Sequence, residues 1–265
     1  MWELSAPRAD IATRFLRRQR KRIPLASSLR EATSRQDASP VELSSPHRIG
    51  VPVMRQIDCV VFDIGNVLVR WDPRNLYRRM GYSDAETTSI LAEIGLLEIN
   101  HRVLDAGGAF HPTLEALVAR FPEHAGFIRA FDTRWIELLG GAIGASLEIM
   151  KALKRKRVPI HAISNYNREK FDIARTLFPF LNDFDDLIIS GDVGLVKPDP
   201  EIFQILIRRR SLDVCRTVFI DDSADNVATA DRLGFATIHF NEKTTDLHAE
   251  LMRLGLIEDL RDCQG

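Results

Sequence analysis

The sequence has few cysteines, no long apolar run and almost no net charge. Three cysteines among 265 residues, Cys59, Cys215 and Cys263, leave an odd number without metal-type spacing. This argues against a disulfide framework and favours a reducing compartment. No apolar run approaches the ~20 residues of a membrane-spanning helix. The formal charge of −1 gives no field that attracts nucleic acid or a membrane. These absences predict a cytoplasmic protein without nucleic-acid or membrane partners.

The first 53 residues differ from the rest of the chain. They are rich in Arg and Ser, include a basic run at 17–22, and have sparse apolar residues without a sustained period. Such a segment buries too little surface to offset its ordering entropy, and it lacks the apolar stretch of a secretory signal. The pattern predicts a disordered extension over 1–53, with Met54 as an alternative functional start. A basic arm for an anionic partner is the other reading.

Short β-type runs alternate with helical patterns after Met54. The runs span 57–62, 158–163, 187–189, 218–220 and 236–240, and the helical patterns span 146–156, 167–177, 200–210 and 224–233. Strands that alternate with helices indicate βαβ units and a parallel sheet covered on both faces. The near-continuous apolar character of the runs fits that burial. The sequence therefore predicts an α/β fold with a doubly wound parallel sheet.

No strand-like run occurs between Asp72 and about Gly144. Asp72 and Pro73 read as a helix N-cap followed by Pro at the first helical position, and helical patterns cover 76–80, 85–97, 113–120 and 126–139. This predicts a small helical cap over 73–144, inserted into a core formed by 54–72 and 145–265. An insertion at this point overhangs the carboxyl ends of the strands, where open α/β sheets bind ligands.

Polar side chains stand where the predicted strands end or in the loop that follows the third strand. They are Asp63, Ser164, Asn165, Lys197, Asp221 and Asp222. Asp63, Asp221 and Asp222 would bring three carboxylates together, which raises their pKa values unless a cation neutralises them. Hard oxygen ligands in that number suit Mg²⁺, which also binds substrate phosphate. With Lys197 and Ser164 holding a phosphoryl group, Asp63 would attack it and form an acyl phosphate.

Four segments carry a family resemblance. They are Phe-Asp-Ile-Gly-Asn-Val-Leu-Val, Ile-Ser-Asn, Gly-Leu-Val-Lys-Pro-Asp-Pro-Glu-Ile-Phe and Phe-Ile-Asp-Asp-Ser-Ala-Asp-Asn-Val. In order and spacing they resemble the signature motifs of the haloacid dehalogenase (HAD) superfamily, in the branch with a small helical cap after the first strand. The resemblance implies a Rossmann-like core and a hydrolase that uses Mg²⁺.

The resemblance also implies individual roles. Asp63 resembles the nucleophile and a metal ligand, and Gly65 would offer its backbone carbonyl to the metal. Ser164 resembles the phosphate-binding residue, and Lys197 resembles the charge-stabilising lysine. Asn165, next to Ser164, is either a substrate contact or a purely structural residue whose amide joins loops. Asp222 resembles the principal acidic metal ligand, with Asp221 next to it.

The first motif departs from the usual phosphatase pattern at Gly65. Most HAD phosphatases carry a second Asp there as general acid and base. This chain instead resembles a subgroup with Asp-x-Gly-Asn in the first motif, whose members are regarded as phosphatases of sugar phosphates and similar small metabolites. Without that acid, we expect a preference for leaving groups of low pKa. The sequence thus predicts a Mg²⁺-dependent phosphatase of a small phosphorylated metabolite. A metal-independent 2-haloacid dehalogenase and a non-catalytic binding protein remain alternatives, and the oligomeric state stays open.

Two histidines and two tryptophans outside the four motifs are expected to have surface or packing roles. We expect His101 and His111 at the surface, with a substrate contact as the alternative. We expect Trp71 and Trp135 in packing contacts, with stacking on the substrate as the alternative.

Overall fold

A computed structural model describes residues 56–258. The expected disordered extension over 1–53, the alternative start at Met54 and Cys263 lie outside the described residues. Within them, Cys59 is buried and Cys215 is exposed, and both are free thiols.

Within residues 56–258, seven strands form two sheets. They are β1 Cys59–Phe62, β2 Val69–Trp71, β3 Leu139–Ala142, β4 Ile160–Ser164, β5 Asp186–Ile189, β6 Thr217–Asp221 and β7 Ala236–His239. The larger sheet has the order β5-β4-β1-β6-β7, and every neighbouring pair in it is parallel. Strand order reverses beside β1, which creates the crevice at the carboxyl edge where such sheets bind ligands. The predicted parallel α/β sheet is confirmed.

Both faces of this sheet are covered by apolar side chains. Because successive residues of a strand point to opposite faces, Val60 and Phe62 join one hydrophobic cluster and Val61 joins the other. All four β1 side chains are buried. This two-sided burial explains why the strands read as continuous apolar runs rather than as an alternating pattern.

Helices cover the sheet and fill the segment between β2 and β3. They are α1 Arg74–Arg79, α2 Asp84–Ile94, α3 Leu96–Ile99, α4 Phe110–Val118, α5 Ala125–Thr133, α6 Gly144–Arg155, α7 Arg168–Leu177, α8 Ser190–Val193, α9 Pro200–Arg210, α10 Ala224–Arg232 and α11 Leu247–Arg253. A π-helix spans Asn100–Leu104, and 3₁₀ turns span Pro122–His124, Trp135–Leu138, Pro179–Asn182 and Val214–Arg216. No helix among the described residues is both long and apolar enough to cross a membrane.

The segment from α1 to the 3₁₀ turn at Trp135–Leu138 is called the insertion below. It is helical, as its patterns predicted, but the expectation of no strand between Asp72 and Gly144 is wrong at β3. This strand is Leu-Gly-Gly-Ala, and glycine has little intrinsic preference for strands. It forms because β2 pairs with it in antiparallel fashion, which ties the two ends of the insertion together.

The insertion packs directly on the core. Its apolar residues belong to the same hydrophobic cluster as one face of the sheet. Trp135 of the insertion packs against Tyr166 of the core, with ring centroids 5.8 Å apart. Lys170 on α7 reaches Asp132 on α5 at 2.5 Å. These contacts hold the insertion over the carboxyl ends of β1 and β4.

Candidate active site

A cavity of about 310 Å³ lies between the carboxyl ends of the central strands and the insertion. The predicted residues that line it are Asp63, Gly65, Ser164, Asn165, Lys197 and Asp222. The remaining predicted residue, Asp221, is fully buried and reaches this group through Lys197. The parallel sheet therefore brings together side chains that are more than 150 residues apart in sequence.

Asp63 stands at the floor of the cavity, directly after β1. Its backbone N–H donates to the carbonyl of Ile220 on β6 at 2.8 Å, which continues the sheet by one residue. The residue is 7% exposed. The pKa of Asp63 is raised from 3.8 to about 7, chiefly by burial and also by the charges of Asp221 and Asp222, although Lys197 lowers it. The positive charge of Lys197 thus does not fully offset the effects of burial and of the two neighbouring carboxylates on Asp63.

Lys197 bridges two of the carboxylates. Its Nζ lies 2.9 Å from Asp63 Oδ1 and 2.7 Å from Asp221 Oδ2, and the residue is 1% exposed. Burial lowers the pKa of Lys197, but Asp63 and Asp221 outweigh burial, so the pKa lies above its ordinary value. The side chain is therefore a fixed positive charge at the cavity floor and not a solvated loop lysine.

Asn165 holds the backbone of Lys197. Its Oδ1 accepts from the Lys197 N–H at 2.8 Å, and its Nδ2 donates to the Lys197 carbonyl at 3.0 Å. Both ends of the amide therefore join the end of β4 to the loop that carries the lysine. From the sequence, Asn165 could be either a substrate contact or a purely structural residue. The structure places it at the cavity wall with this positioning contact, and the substrate contact stays a prediction.

Asp221 and Asp222 have different surroundings. Both Asp221 oxygens accept hydrogen bonds, from Lys197, from the Ser223 N–H and from the Asn226 side chain. Asp222 accepts from Asn66 Nδ2 at 3.1 Å and lines the cavity. Burial raises the pKa of Asp222. Asp222 is thus the more accessible of the two carboxylates.

Two asparagines that support these carboxylates were not singled out from the sequence. Asn226 donates to Asp221, and Asn66 donates to Asp222 while its Oδ1 accepts from the Trp71 N–H at 2.9 Å. Asn66 has a φ of 54°, in the left-handed region that Asn tolerates better than most residues. Its place in Asp-x-Gly-Asn was the available signal, because the tight turn after Asp63 needs a residue of this kind.

The donor set fits a hard divalent cation. Asp63, Asp221 and Asp222 each offer an oxygen within 4.8 Å of the other two. When all three carboxylates are ionised, they face one buried ammonium, and two negative charges are left without compensation in a poorly solvated site. Charges in such a site need a partner or a metal ion. Oxygen ligands in this arrangement are those that Mg²⁺ prefers.

The insertion supplies the opposite wall of the cavity. Its members there include Asn100, His101, Asp105, Phe110 and Trp135. The expectation that His101 lies at the surface is wrong. It is half-buried, with Nδ1 lying 3.4 Å from Asn165 Nδ2, and burial together with Arg102 and Lys197 lowers its pKa. The expectation for His111, which is exposed, is confirmed.

Trp135 is 5% exposed, as expected for a packing residue, although it also borders the cavity. Asp105 is a cavity carboxyl that sequence analysis did not select. Nothing near it in the sequence resembles a motif.

Proteins of known activity resemble the chain over most of its described part. A sesquiterpene phosphatase of Aspergillus oryzae is 24% identical over 186 residues, which cover 69% of this chain and 89% of that protein. A D-ribitol-5-phosphate phosphatase of Bacteroides thetaiotaomicron is 28% identical over 215 residues, which cover 72% of this chain and 95% of that protein. The chain therefore has phosphatases among its relatives.

A solved structure shares the fold. A HAD family enzyme of Bacteroides thetaiotaomicron, in complex with magnesium and inorganic phosphate, superposes with a TM-score of 0.55 at 22% identity. The match covers 73% of this chain and 98% of that one. The model of the haloacid dehalogenase-like hydrolase family matches residues 57–234, a range that includes all the predicted site residues. The chain belongs to the haloacid dehalogenase-like hydrolase family.

Proposed function

We propose that the chain is a Mg²⁺-dependent phosphatase that hydrolyses a small phosphorylated metabolite through an aspartyl-phosphate on Asp63. The observation that carries the proposal is the cluster of Asp63, Asp221 and Asp222 around buried Lys197 at the floor of one cavity. A free thiol at both Cys59 and Cys215 supports action in the reducing cytoplasm.

The residues of the floor have complementary tasks. Lys197 orients the Asp63 carboxylate through Oδ1 and presents positive charge where the phosphoryl oxygens would lie, and Ser164 adds a hydroxyl donor. Asp63 attacks phosphorus, and the bond to the leaving oxygen breaks. Asp63, Asp222 and the Gly65 carbonyl would hold Mg²⁺, with Asp221 behind them. When bound, the ion would withdraw charge from the phosphoryl oxygens and neutralise the carboxylates.

The size and lining of the cavity favour a small polar substrate. A volume of about 310 Å³ stands at the lower end of the range for ligand pockets. Asn100, His101 and Lys170 offer hydrogen bonds, and Trp71 and Trp135 offer apolar surface. This combination suits a hydroxylated carbon skeleton such as a sugar or polyol phosphate.

A dehalogenase would use the same Asp63 on carbon and would need no metal. The paired acids Asp221 and Asp222, which crowd Asp63 with negative charge, favour the phosphatase. A non-catalytic protein would explain the missing acid at Gly65. It would not explain why a lysine is buried among carboxylates.

A panel of phosphorylated metabolites tests the proposal, with product phosphate measured in Mg²⁺ and in excess EDTA. We expect turnover with Mg²⁺ only, and none for Asp63→Asn. The matched control is Asp172→Asn on α7, whose ion pairs with Arg168 and Arg175 are exposed, and it should keep wild-type rates. Full activity in EDTA, or release of halide from 2-haloacids, would refute the phosphatase.

A further inference from the structure

The first motif leaves space where a general acid is expected. A Cβ on Gly65 would meet no atom within 4 Å, so this part of the cavity is open. A carboxyl group that serves the leaving oxygen can therefore reach the reaction centre from another element.

Asp105 is a carboxyl group in that position. It follows the π-helix Asn100–Leu104 and lines the same cavity as Asp63, but from the insertion side. Its Oδ2 accepts from Asn100 Nδ2 at 3.1 Å. No basic side chain within residues 56–258 forms an ion pair with it. A carboxyl group without a cationic partner in a cavity is suited to carry a proton.

The surroundings favour the protonated form of this side chain. Burial raises the pKa of Asp105 well above its ordinary value, and the charge of Asp63 raises it further. Tyr166 lines the same cavity as both carboxyls. Burial raises the pKa of its phenol, and the nearby charges of Asp105 and Asp63 add to this rise. Asp63 and Asp105 thus face a shared volume from opposite sides.

The loop that carries Asp105 is fastened to the core. Ser190 Oγ, fully buried, donates to the Asp105 carbonyl at 2.5 Å. Asn167 Nδ2 donates to the carbonyls of Leu104 and Gly108 at 2.9 and 3.0 Å. These bonds hold the backbone on both sides of Asp105.

Two glycines bring the loop and the core into close contact. Gly107 has a φ of +93°, and a Cβ there would stand 2.6 Å from the carbonyl oxygen of Gly191. Only a loop without a side chain at this point can lie so close to α8. Asp105 therefore holds its place relative to Asp63 through backbone contacts, which is the precision that proton transfer requires.

We propose that Asp105 is the general acid and base of this site and supplies from the insertion the proton that the first motif cannot supply at Gly65. The proposal rests on the phosphatase function above. As Asp63 attacks phosphorus and the P–O bond breaks, the leaving oxygen takes the Asp105 proton. The Asp105 carboxylate then takes a proton from the water that attacks the acyl phosphate. Inorganic phosphate leaves, and both carboxyl groups return to their starting states.

A series of substituted phenyl phosphates tests this role, because its members share a shape and differ in leaving-group pKa. Single-turnover rates with Mg²⁺ isolate the chemical step. We expect a shallow dependence on leaving-group pKa in wild type, in place of the preference for leaving groups of low pKa that Gly65 alone predicts, and a steep dependence in Asp105→Asn. For phenyl phosphate, the single-turnover rate of Asp105→Asn should be about 10²–10⁴-fold below that of wild type. The same loss is expected for ethyl phosphate, whose alkyl group has no hydroxyl that could bind the site. For p-nitrophenyl phosphate it should stay below about tenfold, since a good leaving group needs little protonation.

Glu115→Gln is the matched control, because Glu115 is an insertion carboxylate whose pair with Arg129 is largely exposed. It should keep the wild-type slope. A second arm adds Gly65→Asp to Asp105→Asn, and partial recovery of the shallow slope would support the proposal. Melting temperatures within a few degrees of wild type would establish that each variant is folded.

Equal losses of Asp105→Asn on all esters would overturn the role of Asp105 and leave the phosphatase intact. A wild-type protein that hydrolyses no phosphate ester would overturn both proposals.

Discussion

Asp63→Asn should stabilise the metal-free protein at pH 8, although it abolishes the proposed activity. Burial and two neighbouring carboxylates raise the pKa of Asp63 from 3.8 to about 7. Because the folded pKa lies above the unfolded pKa, folding favours the protonated carboxyl. Stability is therefore unaffected below about pH 4, falls as pH rises from about 4 to about 7, and is fully reduced above that range. At about 1.4 kcal/mol per pH unit, the reduction reaches at most about 4 kcal/mol.

The asparagine variant does not lose this stability, because its amide carries no charge and can still accept a hydrogen bond from Lys197. Urea unfolding in EDTA at pH 5 and pH 8 measures the effect, and the gap between variant and wild type should grow by about 2–3 kcal/mol over this range. The other buried carboxyls titrate in both proteins. The pKa of Asp105 is raised less in the variant, which lacks the charge of Asp63, and this difference widens the gap in the same direction.

Saturating Mg²⁺ should close most of the stability gap between the variant and wild type at pH 8. A ligand at 100 times its Kd stabilises the folded state by about 2.7 kcal/mol, and the variant lacks one of the proposed ligands. Asp172→Asn should show no pH-dependent gap. Two results would refute the raised pKa of Asp63. One is a difference in the free energy of unfolding that is constant with pH, and the other is a wild type that is more stable than the variant at pH 8 in EDTA.

Three further outcomes are expected. Lys197→Met should lower kcat/KM by at least about 10²-fold, because the proposed transition state loses its buried cation; a loss below tenfold in the folded variant would contradict the role of Lys197. Gly65→Ala should change the free energy of unfolding by less than about 1 kcal/mol, since φ is ordinary there and the space is open. Gly107→Ala should cost more than about 2 kcal/mol, because positive φ is strained for Ala and the new Cβ would clash with Gly191; similar unfolding midpoints for the two would contradict this difference. A protein that starts at Met54 should match the full chain in melting temperature and turnover, and a large loss of either would show that the first 53 residues contribute to the fold.

Local patterns were sufficient for most of the core. The helix Pro200–Arg210 has the bounds that its sequence predicts, because the Asp199 side chain accepts from the Glu201 N–H and Pro200 occupies the first turn. The five strands of the larger sheet begin and end within two residues of the predicted runs. Their β-branched and apolar residues favour extended, doubly buried backbone, and this preference is encoded in a few neighbouring residues.

The cavity floor was also accessible from the sequence. In a parallel sheet, all strands present their carboxyl ends at one edge, so side chains at several strand ends have to meet there. Asp63, Ser164 and Asp222 could therefore be brought together before any distance was known. What the pattern did not contain was the difference between Asp221, which is saturated with hydrogen bonds, and Asp222, which faces the cavity.

The sequence by itself thus determined the parallel α/β core, the edge at which its site lies and the residue types of the floor, because these follow from short-range preferences and strand direction. Only the tertiary structure decided the strand at Leu139–Ala142, the burial of His101 and the position of Asp105 opposite Asp63. Each depends on contacts between segments far apart in the chain: β3 exists through its pairing with β2, and Asp105 is placed by Ser190 and Asn167 of the core. Such contacts leave no periodic signal in the residues that they position, because the groups that hold these residues lie elsewhere in the chain.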